Sequence, residues 1–372
     1  MEDFTNLQTK NKSYGGANGN KKSVIFKNEL YMLKLPSKAR LNDNVSYSNS
    51  TISEYIASFV FTSVGLSCQE TILGYYTYNK IKRICVLCKD CEGSGKTTLI
   101  NMLCKDFETN GFRFSDFASL RNQVVDSVSL GHSTELSDIL EIFSTQDLIP
   151  YHDIVNFFWE TFIVDALLGN WDRHNGNWGY LYNLETGENK IAPVFDNGSS
   201  LFPQADEKIM KLVLSNKSEL YRRIYDIPYS AITIEGKKIN YFEFLTTTKN
   251  EQCIAAIKNI VPKIDLNKIF LFIDSIEILS DLQKKFYKTI LKARKEMILD
   301  VCFKKWNKSL DINEFNNKLD KITFNDILEA GKNMKIKKSR CIKIIEEVRK
   351  TVNNFEIYAL KAGVNRKRIG EI

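Results

Sequence analysis

The chain has 372 residues, 43% of them hydrophobic and 12% aromatic, and a formal net charge of +7 at pH 7. That length supports two lobes with a core that needs no staples. No apolar run approaches the ~18 residues of a membrane span, and the polar start MEDFTNLQTKNKSYGG lacks the apolar stretch of a secretory signal. The positive charge fits a site for an anionic ligand and is too small by itself to argue for nucleic acid, so neither direct nucleic-acid binding nor a membrane partner is expected. Eight scattered cysteines predict reduced thiols in a cytoplasm, with secretion or translocation into a host cell without a signal peptide left open.

In chain order, KSVIFKN and ELYMLKLP are short β-type runs with a turn expected at Asn28-Glu29. STISEYIASFVFTSVG has Ile52, Ile56, Phe59 and Val60 at helical spacing, with Ser50 or Ser53 able to cap it and Gly65 to end it. QETILGYYTYN and KRICVLCKD return to strand character. From about residue 95 the pattern is mostly helical. Its strongest element, YHDIVNFFWETFIVDALLG, is apolar nearly all round and therefore predicted buried, with Gly169 as its C-terminal cap. A strand-turn-strand unit is expected at Trp178 to Asn183 and Lys190 to Phe195, and beyond residue 262 the chain reads as helical and lysine-rich. The expected division is a β-rich N-lobe over residues 1–92 and a helical C-lobe over residues 93–372, an α+β class.

Directly after the buried helix come NWDRHNGNWGYLYN and GENKIAPVFDNGSSLFP. Phosphoryl transfer needs a carboxylate to orient the attacking hydroxyl and hard oxygen ligands to hold Mg²⁺ against phosphates. Asp172 suits the first task; the Asn177 amide oxygen and the Asp196 carboxylate suit the second. Each alone is equally a turn residue; the spacing Asp-x4-Asn, then a hairpin ending in apolar-Asp-x-Gly, favours the chemistry. Upstream, the loop Gly15, Gly16, Ala17, Asn18 and Gly19 lets backbone N–H groups approach phosphates. Lys34 lies on the next predicted strand, where it can reach the α/β-phosphates, and Glu54 on the following helix can pair with it.

Together SYGGANG, YMLKLP, SEYIASFVFTSVGL, LLGNWDRHNGNWG and PVFDNGSSLFP resemble the HipA-like serine/threonine kinases, and within that group the compact CtkA type, over roughly residues 13 to 300. DRHNGN also resembles the distantly related phosphatidylinositol kinases. The resemblance implies a bilobal atypical protein-kinase fold, ATP and Mg²⁺ as cofactors, and a protein substrate with a serine or threonine acceptor. It makes Asp172 the catalytic base, Asn177 and Asp196 the metal ligands, Lys34 the ATP-phosphate lysine, Glu54 its partner, and Cys88 to Asp90 the hinge facing adenine. A serine at the position of Ser13 can be autophosphorylated in this pattern. HipA toxins carry a further subdomain before the glycine loop. Here the loop begins within the first fifteen residues, which leaves the toxin role and an antitoxin-like partner open. His174 either polarises the transferred phosphate or the acceptor, or holds the catalytic loop by bonds to backbone. Arg173 reads as a loop-ordering or phosphate-facing cation, and Asn175 as a turn former.

One stretch offers competing chemistry. CKDCEGSGKTTL looks like a P-loop built on Lys96, but Asp90 stands where a Walker A loop needs glycine. The tempting Walker B match, IFLFID, follows helical spacing after a capping Asp265. Cys85, Cys88 and Cys91 invite a metal reading, yet residues three apart on a strand point to opposite faces. The readings carried forward are an ATP- and Mg²⁺-dependent serine/threonine kinase, a P-loop NTPase on Lys96, a phosphatidylinositol-type lipid kinase, and a catalytically inactive kinase-like binding module.

Overall fold

The computed structural model describes residues 1–12, 14, 21–38, 46–91, 112–117, 134–308 and 336–353. The chain forms two compact units, Met1–Asn307 and Lys308–Ile372. Segment 1–92 lies wholly in the first unit, while segment 93–372 is divided between the two. Within the second unit the structure describes chiefly one helix, Lys338–Asn353.

The first unit opens with strands β1 (Glu2–Asp3), β2 (Thr9–Lys10), β3 (Lys21–Phe26), β4 (Glu29–Lys34), β5 (Ser37–Lys38) and β6 (Ser46–Tyr47), helix α1 (Ser50–Ser63), and strands β7 (Thr71–Tyr78) and β8 (Ile81–Lys89). Six of the strands make one sheet in the order β1-β7-β8-β4-β3-β2, while β5 and β6 pair separately. In that sheet β1 runs parallel to β7 and the other pairs are antiparallel. Both long hairpins close through two residues with positive φ, Lys27–Asn28 and Asn79–Lys80, the turn whose twist matches that of the strands. The first turn therefore sits one residue earlier than Asn28-Glu29, because the ladder continues to the pair Phe26↔Glu29.

The two-residue period of β4 and β8 sorts their side chains onto opposite faces. Tyr31, Leu33, Cys85 and Leu87 join Phe4, Val24 and Phe26 in one cluster, while Met32, Val86 and Cys88 join the larger core with α1. Cys85 and Cys88 thus face apart. Lys34 follows the parity of Met32 and is aligned with Val86, so the same alternation that buries Met32 turns Lys34 toward α1. That helix buries Ile52, Ile56, Ala57, Val60 and Phe61 and ends before Gly65, whose φ is +89. Neither Ser50 nor Ser53 caps it. The N-cap is Asn49, with no side-chain cap bond; its Oδ1 accepts instead from Gln283 Nε2 at 3.4 Å while its Nδ2 donates to Ala205 O at 2.7 Å.

After β9 (Phe112–Asp116) and α2 (Leu136–Thr145), helix α3 (Tyr151–Leu168) runs through the core with twelve buried residues, and Gly169 caps it with φ 63°. Strands β10 (Gly179–Asn183) and β11 (Asn189–Ile191) follow. The second strand is shorter than expected. Pro193 has no N–H for a ladder, and beyond Ile191 only Val194 makes a bridge, to Cys68. Strand β9, in a region expected to be mostly helical, pairs with β10 along its whole length. The rest comprises α4 (Glu207–Ser215), α5 (Lys217–Tyr221), the hairpin β12 (Tyr229–Ile234) and β13 (Lys237–Asn240), α6 (Tyr241–Thr247), α7 (Glu251–Ile260), α8 (Leu266–Ser275), α9 (Asp281–Arg294) and α10 (Asp300–Lys308). IFLFID lies in α8, and Asp265 caps that helix by accepting from Asn267 N and Lys268 N. Among the described residues no helix is long and apolar enough to cross a membrane.

Candidate active site

Strand β4 and helix α1 bring the two N-lobe charges together. Lys34 Nζ donates to Glu54 Oε2 at 2.7 Å and to Asp196 Oδ1 at 2.8 Å. Glu54 is 1% exposed and its other oxygen accepts the Asn197 backbone N–H at 2.7 Å. One buried carboxylate therefore fixes both the lysine and the loop that carries Asp196. Gly198 belongs to the same arrangement, since a Cβ there would stand 3.2 Å from Glu54 Oε2 and 3.4 Å from Ser50 O. Asp196, Leu201 and Phe202 all have positive φ near 55°. Strain of this kind costs about 1–3 kcal/mol per residue and persists only where surrounding contacts impose it; here Leu201 N donates to Leu168 O at 2.8 Å.

The loop after Gly169 is organised by Arg173. Its guanidinium is 6% exposed. It donates to both Asp165 oxygens, to Asn177 O at 3.1 Å, to Phe195 O at 2.5 Å and to Asn197 Oδ1 at 2.5 Å. It thus joins the backbone at Asn177 to the backbone leading into Asp196, and its role is loop-ordering. Asn170 continues the frame: its amide donates to Asp165 Oδ1, its Oδ1 accepts from Asp172 N, and its carbonyl accepts the Tyr241 hydroxyl at 2.5 Å. Asn177 is 6% exposed and donates its Nδ2 to Asp172 O at 2.7 Å, so its amide oxygen is the atom it could offer a metal. His174 Nδ1 accepts from Gly176 N at 3.0 Å, while Nε2 lies 4.0 Å from Asp172 Oδ1. The ring therefore holds the loop with one nitrogen and faces the candidate base with the other. Asn175 is fully buried.

The hinge residues are placed as follows. Cys88 sits between Met32 and Thr71 in the ladder, and burial pushes its thiol well above the usual range. Asp90 N donates to Leu30 O at 2.9 Å, and Asp90 Oδ2 accepts from Lys12 Nζ and Tyr14 Oη, both at 2.7 Å. Ser13, Gly15, Gly16, Ala17, Asn18, Gly19 and Lys96 lie outside the described residues. Reading the sequence missed Asp165, Asn197 and Lys21. The available signal for Asp165 was an acid set in the all-apolar last turns of the helix, FIVDALL, where burying it demands a cation. Lys21 lies directly across from Lys34 in the β3–β4 ladder.

The Asp172 and Asp196 carboxylates have opposite electrostatics. About half of the Asp172 side-chain surface is exposed and the rest is buried. That burial raises its pKa, the Asp196 charge adds to the rise, and His174, Arg173 and Ser199 hold it back. Burial would also raise Asp196, but Lys34, and then Lys21, pull it far below the ordinary range. For Lys34, burial alone would lower the pKa, and the Asp196 and Glu54 carboxylates overturn that, raising it well above normal. The signs for stability follow. Asp172 is harder to ionise folded than unfolded, so its charge opposes folding at neutral pH and the opposition is relieved as pH falls. Asp196 is easier to ionise folded, so its contribution is complete above the unfolded carboxylate pKa and is lost only as pH falls toward its depressed one. In nucleotide-free protein at pH 7, Asp172→Asn is expected to raise Tm by about 1–3 °C. Asp196→Asn is expected to lower it by roughly 2–4 °C, about 1 kcal/mol after discounting for its partial exposure. Scanning calorimetry checks both, and shifts of the same sign would contradict this electrostatic account.

No family model matches the chain. A curated relative, serine/threonine-protein kinase CtkA of Helicobacter pylori (strain J99 / ATCC 700824), is 43% identical over 302 residues, covering 81% of this chain and 87% of that protein. The crystal structure of a Helicobacter pylori proinflammatory kinase CtkA superposes with a TM-score of 0.72 at 41% identity, covering 82% of this chain and 99% of that one. The Shewanella oneidensis MR-1 toxin–antitoxin system of HipA, HipB and its operator DNA gives a TM-score of 0.49 at 13% identity, covering 81% and 70%. The identity and coverage to CtkA set the family: the chain belongs to the CtkA-type serine/threonine-protein kinases.

Proposed function

We propose that this kinase uses Mg²⁺-ATP and transfers the γ-phosphoryl group to a serine or threonine hydroxyl in the site built around Lys34, Asp172, Asn177 and Asp196. The observation that carries the reading is Lys34 held between Glu54 and Asp196. It joins a strand cation, a helix carboxylate and the metal-loop carboxylate, the set that phosphoryl transfer requires in place. The donor chemistry fits the metal, because a carboxylate and an amide oxygen are hard ligands of the kind Mg²⁺ takes. When bound, Mg²⁺ would neutralise phosphate charge at Asn177 and Asp196. Lys34, with Lys21 across the ladder, places positive charge at the phosphate end. Asp172 orients the acceptor hydroxyl and takes its proton as the oxygen bonds the γ-phosphorus and the bond from phosphorus to the bridging oxygen breaks, releasing ADP; its raised pKa makes it the stronger base. His174 and Arg173 keep that carboxylate and the metal ligands in register. Residues 1–92 would carry the nucleotide half of the site and residues 93–372 the catalytic half. ATP binding is expected to require Mg²⁺, and calorimetry showing equal ATP affinity with and without a chelator would overturn the metal assignment.

Autophosphorylation at Ser13 follows from the same reading. In the chain Ser13 stands between Lys12 and Tyr14, the two residues that hold Asp90. A phosphoserine there would bring close to two negative charges to Lys12 and compete with the Asp90 carboxylate. Mass spectrometry is expected to find phosphate on Ser13 of active protein supplied with Mg²⁺-ATP and none on Asp172→Ala protein. Phosphate on both would assign the modification to another kinase.

A further inference from the structure

Asp90 does more than end strand β8. Lys12 and Tyr14, two residues apart, send their side chains to the same oxygen, Asp90 Oδ2, at 2.7 Å each. One carboxylate oxygen thus takes both donors. The Asp90 side chain is only 3% exposed, against 22% for Lys12, and the Tyr14 ring packs against the main core. Neither Lys12 nor Tyr14 belongs to a strand, for the β2–β3 ladder pairs only Thr9 with Val24 and Lys10 with Ser23. The polar anchor of this segment is thus a residue some 76 to 78 positions away.

We propose that Asp90 is a positioning residue that moors the segment entering the glycine loop to the end of the hinge strand, and that the mooring sets affinity for the nucleotide. The proposal rests on the reading that ATP phosphates lie along residues 15–19. The mooring fixes Lys12 and Tyr14 against the end of β8 before any nucleotide arrives. Ordering each further backbone residue on binding is costly, and affinity falls with the fraction of protein already in the competent arrangement. The chemistry beyond the phosphates is untouched, so the effect belongs to ATP binding and not to turnover.

The test is steady-state kinetics on the full chain with Lys12→Met, Tyr14→Phe and the double variant. The double variant is expected to raise KM for ATP about tenfold with kcat at saturating ATP within about twofold and KM for the protein acceptor unchanged. Lys12→Arg, which keeps the charge, is expected to restore most of the ATP affinity. A purely structural role would move Tm and kcat without this split. An unchanged KM for ATP in the double variant, or no rescue by Lys12→Arg, would overturn the mooring. Wild-type protein that binds no ATP at all would instead remove the reading of the site on which the mooring depends.

Discussion

Asp172→Asn is expected to slow phosphoryl transfer by about a thousandfold, within the range that loss of a positioned general base produces, while Mg²⁺-ATP affinity stays within about twofold. The basis is geometric. Asp172 takes its backbone bond through N–H to Asn170 Oδ1, and its carboxylate, on a side chain that is half exposed, makes a 3.5 Å contact with Ser199 Oγ and lies 4.0 Å from His174 Nε2. The amide replacement keeps the shape and removes the proton acceptor. Asp196→Asn should behave in the opposite way, because that residue is read as a metal ligand paired with Lys34: Mg²⁺-ATP binding weakens, and turnover falls with it. Titration calorimetry separates the pair. Equal ATP affinity in the two variants, with both active, would undo these roles.

Removing Lys34 should be equally damaging, and in two currencies. Lys34→Met takes away the cation that the proposed site aims at the transferring phosphate, a kind of loss worth about 10²–10³ in rate. It also leaves the Glu54 side chain, 2% exposed, as a buried charge without its cation, a change that costs about 3–5 kcal/mol. The variant therefore risks unfolding. The double variant Lys34→Met with Glu54→Gln relieves the stranded charge, so it is expected to recover much of the stability and none of the activity. Lys96→Ala is expected to keep most of the activity, because the Walker B candidate in the sequence, Asp274, lies in helix α8 and not at a strand end. A folded but inactive Lys96 variant would move the nucleotide site to the wrong lysine and sink the assignment.

How much of this was legible in the sequence depended on the range of the interactions. Helix α8 with its Asp265 cap, helix α3 with Gly169, and the opposed faces of Cys85 and Cys88 all follow from local periodicity, which a sequence displays directly. The pairing of Lys34 with Glu54 was anticipated from the order of strand lysine and helix glutamate, and forms at 2.7 Å. What was missed is non-local. Strand β9 exists because β10, more than sixty residues later, supplies its partner, and strand propensity is decided largely by such neighbours. The Asp165–Arg173–Asn197 cluster joins three stretches that look respectively like a core helix, a turn and an Asp-x-Gly spacer. Only folding shows that one guanidinium serves all three. The cap of α1 differs for a related reason: the Asn49 side chain serves distant partners, its Oδ1 accepting from Gln283 Nε2 and its Nδ2 donating to Ala205 O, 156 residues away.

The most direct test of the account is transfer of labelled phosphate from γ-labelled ATP to protein, followed by identification of the phosphorylated residues, for wild-type and Asp172→Asn protein with Mg²⁺ and with a chelator. The account predicts phosphoserine or phosphothreonine from the wild-type protein only when Mg²⁺ is present, and none from Asp172→Asn under either condition. Undiminished transfer by folded Asp172→Asn protein, or transfer by the wild type that ignores the chelator, would contradict it.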